Sequence, residues 1–319
     1  MPRLPFTAIA ALAIASLAPQ FAAGQAPYPS REIKVIVGFS PGSGPDITAR
    51  RVAEAIRRRS GQTVIVENKP GALTNIAAQS VAMAKPDGYT VFVTAGNSTF
   101  GINPWLFKNL PYDPVKDFTP VTSLFRTPFA FAVTQGSPIN SVAELTGVLK
   151  SKGARGKYAY ANSISMIGAE VYKYKAGLES VGVSYKSIVD SHAALAAGEV
   201  DFFLADMTFK SRAKILALTI AERSPLMPNT PSAKEAGLVD YDVGAWWAVW
   251  LPANAPKDIV DKLAGWIEAG VDGEDSRTYY TSIGAQPWLG VRGDELRQYM
   301  IDDIRKWGEM AKVAKIEPQ

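Results

Sequence analysis

Apolar runs of strand length alternate with amphipathic stretches in the N-terminal third of the chain. Three such runs are bounded by glycine, proline or polar turn residues: residues 35–39, 63–67 and 89–95. Between them, apolar residues recur at the spacing of one helix face in residues 49–56 and again in residues 77–84. This order of strands and helices predicts the start of a doubly wound parallel sheet.

The pattern continues beyond a proline-rich passage with further strands and helices. Strands are predicted at residues 129–133, 157–161, 200–204, 215–220 and 245–251, and helices at 142–150, 163–174, 256–270 and 292–314. We interpret the stretches at 129–133 and 245–251 as crossings between two α/β lobes, each a mostly parallel sheet flanked by helices. Residues 27–125 and 242–319 are then expected to form lobe 1, and residues 126–241 lobe 2.

The first 26 residues have the pattern of a secretory signal peptide. Arg3 precedes an apolar stretch that ends at Leu17, and small residues lead to a plausible cleavage point after Ala26. A membrane anchor is the alternative, but a bilayer span needs about 20 continuous apolar residues, and Pro19 and Gln20 interrupt this run. We therefore expect an exported protein, periplasmic in a cell with two membranes.

Composition removes several classes of function. The 319 residues include no cysteine, which excludes disulfides, cysteine–zinc sites, iron–sulfur clusters and thiol nucleophiles. The net charge of +4 comes from 34 basic and 30 acidic residues spread along the chain, without the basic stripe that nucleic-acid binding requires. With one histidine, a metal centre is also not expected. We predict a monomer without cofactor, metal or nucleic-acid partner.

Polar turns follow the first three predicted strands. The first turn reads "FSPGSGPD", the second "NKPGALTN" and the third "GNSTFGIN". Each places small or hydroxylated residues before a helix start, where unpaired N–H groups and the helix dipole favour an anion; Thr74 is also predicted to cap the second helix. None matches a nucleotide P-loop or G-x-G-x-x-G, and making turns is the simpler explanation for any single one. Together they predict an anion-binding rim.

Longer segments resemble a known family. "YPSREIKVIVGFSPGSGPDITARRVAEAI", "VENKPG", "AKPDGYT" and "LPYDPVKDFTPV" occur in the order found in substrate-binding proteins of tripartite tricarboxylate transporters, the Bug family. The resemblance covers nearly all of the chain after the signal. It implies a periplasmic receptor of the two-lobe, Venus flytrap fold, without catalytic activity. Such receptors bind small carboxylates and deliver them to membrane permease subunits.

The family's ligand loops can be transferred residue by residue. Its first loop matches this chain at Phe39, Gly42 and Asp46, but Ser43 replaces a glycine. In the second loop Leu73, Thr74 and Ala77 replace glycines, and the Leu73 side chain should make the pocket narrower or more apolar. In the second lobe the family pattern falls on residues 162–165, and its "VPYKG" becomes "VSYKS" at residues 183–187. The predicted ligand-binding residues are Phe39, Ser40, Gly42, Ser43, Gly44, Asp46, Ala72, Leu73, Thr74, Asn75, Asn97, Ser98, Thr99, Asn162, Ser163, Ser165 and Asp206.

Several polar residues allow more than one interpretation. Asp46 could select an amino group of the ligand, orient its loop or pair with the helix dipole, and Asp206 could line the site or act in the hinge. His192 could be a catalytic base or ligand donor, but we predict a surface or capping-region residue, with Asp190 as the cap of that helix.

Aromatic residues pose a similar choice. Trp246, Trp247 and Trp250 lie in a predicted crossing strand, and we predict core or hinge packing for them. Alternatively, one of them could wall the cleft and stack on an aromatic acid.

Three functions remain to be compared. A carboxylate receptor for transport is the leading prediction, for aromatic or aliphatic mono- and dicarboxylates. A receptor that signals to a membrane kinase would have the same fold. A hydrolase is disfavoured because the sequence has no G-x-S-x-G elbow around a candidate serine.

Overall fold

A computed structural model describes residues 27–318 of the chain. The predicted signal peptide lies outside the described residues. Within them, no helix has both the length and the apolar character needed to cross a membrane.

The N-terminal part forms the predicted alternation of parallel strands and helices. Strand β1 (Ile33–Val37) lies between β2 (Val64–Asn68) and β3 (Thr90–Ala95) and is parallel to both. Helix α1 (Gly44–Ser60) follows β1, and α2 (Asn75–Ala82) follows β2. The carboxyl ends of these strands therefore meet along one edge of the sheet. The strand–helix order predicted here is confirmed.

After β3 the chain forms a wholly buried π-helical turn, Asn97–Ile102, and a short helix α3 (Asn103–Leu106). The next strand, β4 (Phe118–Thr134), is far longer than the predicted 129–133. Its pairing register shifts next to Pro120, which lacks the N–H of a regular ladder position. The prolines at 120 and 128 explain why the prediction of a short strand was wrong.

Strand β4 joins two groups of strands. Up to Pro128 it pairs with the antiparallel strand β9 (Gly244–Pro252), which in turn pairs with β3. From Phe129 onward it pairs with strands of the other group. The curled sheet has the order β2-β1-β3-β9-β4-β7-β5-β6, where β5 is Lys157–Tyr160, β6 is Val181–Ser184 and β7 is Phe202–Asp206. Strands β8 (Ala213–Leu218) and β10 (Gln286–Pro287) also pair with β4. The residue limits expected for the two lobes stay predictions.

The second group of strands carries its own helices. Its elements are α4 (Val142–Lys152), β5 (Lys157–Tyr160), α5 (Ser163–Ala176), β6 (Val181–Ser184), α6 (Ile188–Ala197), β7 (Phe202–Asp206) and β8 (Ala213–Leu218). Strand β5 is parallel to both β6 and β7. The sequence pattern missed β6, and it placed β8 two residues too late.

The C-terminal elements are α7 (Lys257–Val271), α8 (Glu274–Ser282), β10 (Gln286–Pro287) and α9 (Gly293–Val313). Helix α7 packs closely on α1, since a Cβ placed on Gly270 would come within 2.2 Å of the Ala55 Cβ. Helix α9 buries Trp307 completely. The C-terminal helices thus complete the part of the fold that carries β1 to β3, while α8 and β10 were not predicted.

Candidate functional site

A cavity of about 610 Å³ lies between the two groups of strands. On one side it is bounded by the loops after β1 and β2, and on the other by the ends of β5 and β6 and the start of α6. Its lining residues are Gly38, Phe39, Ser40, Ser43, Pro70, Gly71, Ala72, Leu73, Thr74, Ala161, Ser184, Tyr185, Lys186, Ser187 and Ile188.

The loop after β1 is shaped by its own helix start. The Ser43 side chain caps α1 by accepting a bond from the Asp46 N–H, and its hydroxyl donates to the Ser40 carbonyl at 2.7 Å. Gly42 has a φ of 78°, which a glycine adopts without steric strain. The positive end of α1 lies at this turn. Ser43 accepts the Asp46 N–H and Pro45 has none, so these contacts leave the N–H of Gly44 at the start of the helix.

Asp46 holds this loop in place. The buried carboxylate accepts hydrogen bonds from the Gly42 N–H at 2.9 Å, from Arg50 Nε at 3.0 Å and from Asn68 Nδ2 at 3.0 Å. Asn68 also donates to the Phe39 carbonyl at 2.8 Å. Burial alone would raise the pKa of Asp46, but the hydrogen bonds from Arg50, Gly42 and Asn68 hold it below its usual value. Asp46 therefore orients the loop, one of the roles considered for it, and does not itself line the cavity.

The loop after β2 has an unusual backbone. Ala72, Leu73 and Thr74 have φ values of 45°, 51° and 80°, in the left-handed region that non-glycine residues rarely enter. Thr74 occupies the predicted cap position of α2, but in this conformation its side chain makes no capping bond to the helix. Its hydroxyl instead pairs with the Thr99 hydroxyl at 2.9 Å.

A buried polar network supports this loop from behind. The side-chain amide of Asn103 donates to the Leu73 carbonyl at 2.8 Å and to Asn75 Oδ1 at 2.6 Å. The Tyr112 hydroxyl donates to the same Asn75 oxygen at 2.8 Å and to the Thr99 carbonyl at 2.7 Å. Asn75 and Thr99 are thus committed to the support of the loop rather than exposed in the cavity.

The network also reaches the second group of strands. The Ser163 hydroxyl, at the start of α5, donates to Asn103 Oδ1. Asn162 caps α5 by accepting from the Ser165 N–H at 2.8 Å. All three of the predicted residues Asn162, Ser163 and Ser165 are buried, and Ala161 is the residue of this segment that lines the cavity.

The π-helical turn after β3 lies deeper. Asn97 and Ser98 are fully buried and do not line the cavity. Asn97 donates to the Gly244 carbonyl at 2.6 Å, which ties the turn to β9. The Ser98 hydroxyl has no hydrogen-bond partner among the described residues, although buried polar groups normally have one. Its role as a ligand donor stays a prediction.

The wall opposite the first two loops was mostly missed by the sequence reasoning. It comprises Ala161, Ser184, Tyr185, Lys186, Ser187 and Ile188. The Ser187 side chain caps α6 by accepting from the Asp190 N–H at 3.1 Å, so the prediction that Asp190 is the cap was wrong. The available signal was "VSYKS", whose match to the family's "VPYKG" does not by itself identify a ligand-binding residue.

His192 and Asp206 lie away from the lining of this cavity. His192 is buried and meets the Phe203 ring edge-on at 5.2 Å, so the prediction of a surface position was wrong. Burial lowers the pKa of His192, and Arg212 adds to the effect while Asp206 partly opposes it. Asp206 is half-buried at the end of β7, opposite Phe129 of β4.

The tryptophans of β9 pack in the core, as predicted. Trp250 contacts Phe100 at 4.9 Å between ring centroids, and Trp247 stacks on Phe125 at 5.8 Å. Trp247 also lies 6.3 Å from the Phe39 ring, which lines the cavity. Trp247 thus supports the cavity wall from behind.

The charges around the cavity favour an anion. Among the described residues that line it, Lys186 is a cation and none is acidic. The helix starts at Ser43 and Ser187 add partial positive charge from two sides. Phe39, Leu73 and Ile188 supply apolar surface between them. The arrangement suits a small molecule with negative ends and an apolar body.

Known proteins share this sequence and fold. Residues 48–316 match the family described as "Tripartite tricarboxylate transporter family receptor". The R. palustris protein Rpa4515, solved with adipate, is 29% identical with a TM-score of 0.86, over 92% of this chain and 100% of that one. The periplasmic binding protein BugD is 28% identical with a TM-score of 0.84, over 92% and 100% of the two chains.

A third solved structure is MatC from Rhodopseudomonas palustris with bound malate. It is 29% identical with a TM-score of 0.81, over 89% of this chain and 99% of that one. These similarities establish the two-lobe fold of periplasmic binding proteins, in agreement with the prediction. The chain belongs to the tripartite tricarboxylate transporter family of receptors.

Proposed function

We propose that this protein captures a small carboxylate, an aromatic or aliphatic mono- or dicarboxylate, between its two lobes and delivers it to permease subunits of a tripartite tricarboxylate transporter. The observation that carries the proposal is the cavity itself, a cleft bordered by two helix starts and Lys186 whose described lining residues include no acid. The adipate and malate of the two related structures have the same chemistry.

One carboxylate group would lie at the turn around Ser40 and Ser43. There the Ser40 hydroxyl and the N–H of Gly44 would donate charge-assisted hydrogen bonds, which need no arginine, and the positive end of α1 would add to them. The opposite end of the ligand would lie near Lys186 and the start of α6. Exclusion of water on closure of the cleft strengthens each of these bonds because the local dielectric falls.

The proposed location follows from the same role. Residues 1–26 would direct export and be removed, which leaves the receptor in the periplasm beside its permease. Uptake of labelled ligand by cells with and without the receptor gene tests the delivery step. Equal uptake in both strains would contradict a transport role and favour a receptor that signals.

Binding is tested by thermal unfolding of the purified protein with adipate, malate, citrate, glutamate, nicotinate and terephthalate, and with glucose as a neutral control. A ligand at 100 times its dissociation constant should stabilise the protein by about 2.7 kcal/mol. We expect at least one acid to raise the melting temperature. A shift with glucose and none with any acid would refute the proposed ligand class.

A further inference from the structure

Leu73 occupies a strained backbone position at the cavity wall. It is the middle residue of three consecutive non-glycine residues with positive φ, and Thr74 beside it is β-branched, which makes the conformation rarer still. Elsewhere in the described chain positive φ occurs at single non-glycine residues only: Asp240, Asn254 and Lys315. Strain of this kind concentrates at ligand sites, where the surrounding structure enforces it.

Specific contacts enforce the conformation here. The Leu73 carbonyl accepts a hydrogen bond from Asn103 Nδ2 at 2.8 Å. On the next residue, the Thr74 N–H donates to the Gly71 carbonyl at 3.0 Å, and its hydroxyl pairs with Thr99 at 2.9 Å. The backbone is thus fixed on both sides of the Leu73 side chain.

The side chain contributes apolar surface that a glycine would not. Leu73 is half-buried, lines the cavity and packs against the apolar cluster that contains Ile102 and Leu106. Across the cavity, Ile188 provides a second apolar wall. A ligand hydroxyl placed between these walls would lose its water and gain no partner from either side chain.

We infer that Leu73 is a specificity-determining residue, which selects carboxylates whose body is a plain hydrocarbon over those that carry a hydroxyl group. The inference rests on the proposed function and narrows its substrate class. An apolar pocket rejects an added hydroxyl by at most about 100-fold. We therefore expect this chain to prefer the unsubstituted member of a matched pair of acids by about 10- to 100-fold.

The test is calorimetric titration of the purified protein with succinate and malate, and with terephthalate and 2-hydroxyterephthalate. Within each pair the two acids differ by one hydroxyl. Leu73→Asn places a polar side chain of similar size at a left-handed position that asparagine tolerates. Leu73→Gly removes the side chain and the strain together. Because both substitutions suit the backbone, we expect neither to lower the melting temperature by more than a few degrees.

The expected result is that the preference for the unsubstituted acid falls below about threefold in both variants. The control Ile76→Asn changes a side chain that is 50% exposed and outside the cavity lining, and it should retain the wild-type preference. A wild-type protein that binds the hydroxy acid equally or better overturns the inference, as does an unchanged preference in folded Leu73 variants. Wild-type protein that binds no acid at all instead refutes the proposed function, and the inference falls with it.

Discussion

Asp303 offers a quantitative test of the structure at the point where the two strand groups join. The carboxylate on α9 is 8% exposed. It accepts a hydrogen bond from the indole N–H of Trp246 at 2.8 Å, at the start of β9, and another from Trp307 at 3.1 Å. Burial raises the pKa of Asp303 from 3.8 to about 6, although the bond from Trp246, the charge of Lys306 and the bond from Trp307 oppose the rise.

This shift makes stability depend on pH in a defined direction. In the folded state Asp303 has a pKa of about 6 and stays protonated below that pH, whereas in the unfolded chain its pKa is 3.8. The contribution of Asp303 to folding stability is therefore fully present at low pH and is lost as pH rises through this interval. A shift of about 2 pKa units corresponds to about 3 kcal/mol, since each unit is worth about 1.4 kcal/mol.

Urea unfolding of the wild-type protein and of Asp303→Asn measures this contribution. Asparagine carries no charge at any pH, so the stability of the wild type relative to the variant should fall by about 2 to 3 kcal/mol between pH 4 and pH 7. The matched control Asp302→Asn changes the neighbouring carboxylate, whose side chain is 54% exposed, and should show little pH-dependent difference. A wild-type advantage over Asp303→Asn that stays constant with pH would refute the reasoning.

Three further predictions concern the cavity. Asp46→Ala removes the acceptor of three hydrogen bonds, so it should lower the free energy of unfolding by roughly 3 kcal/mol and weaken ligand binding. An unchanged urea midpoint together with an unchanged affinity would contradict the role of Asp46 in orienting the loop. Thr74→Ala removes a hydroxyl at the cavity lining and should weaken binding in calorimetry by about 1 to 3 kcal/mol, and unchanged affinity would argue that the ligand binds elsewhere. Lys186→Gln should weaken binding by no more than about fivefold at low salt and less at high salt, and an effect independent of salt would argue against a charge contact.

Local patterns were sufficient to predict much of the fold. The β1 to β3 alternation follows from apolar runs and helical spacing, and the resemblance to a receptor family implies the two-lobe architecture. The length of strand β4 was underestimated because prolines such as Pro120 and Pro128 usually disfavour a strand. The shift in pairing register next to Pro120 accommodates that proline, and it depends on the partner strand β9, which the local sequence does not reveal. The cap of α6 was misassigned because Ser187 and Asp190 are both suitable cap residues.

The candidate site was harder to predict than the fold. Ser40, Ser43 and Thr74 lie at turns that local patterns reveal, and they line the cavity. Lys186 reaches the same cavity from a distant part of the sequence, and the match of "VSYKS" to the family's "VPYKG" does not by itself show that this segment meets the first two loops. The left-handed backbone at Leu73 and Thr74 could have been suspected because both replace family glycines, but neither residue by itself predicts a positive φ.

A crystal structure of the protein with its tightest-binding acid would test the central claim most directly. We predict that one carboxylate of the ligand lies within hydrogen-bond distance of the Ser40–Ser43 turn, with the ligand body against Leu73 and its far end near Lys186. An acid bound outside this cavity, or bound with its carboxylate turned away from the start of α1, would contradict the account.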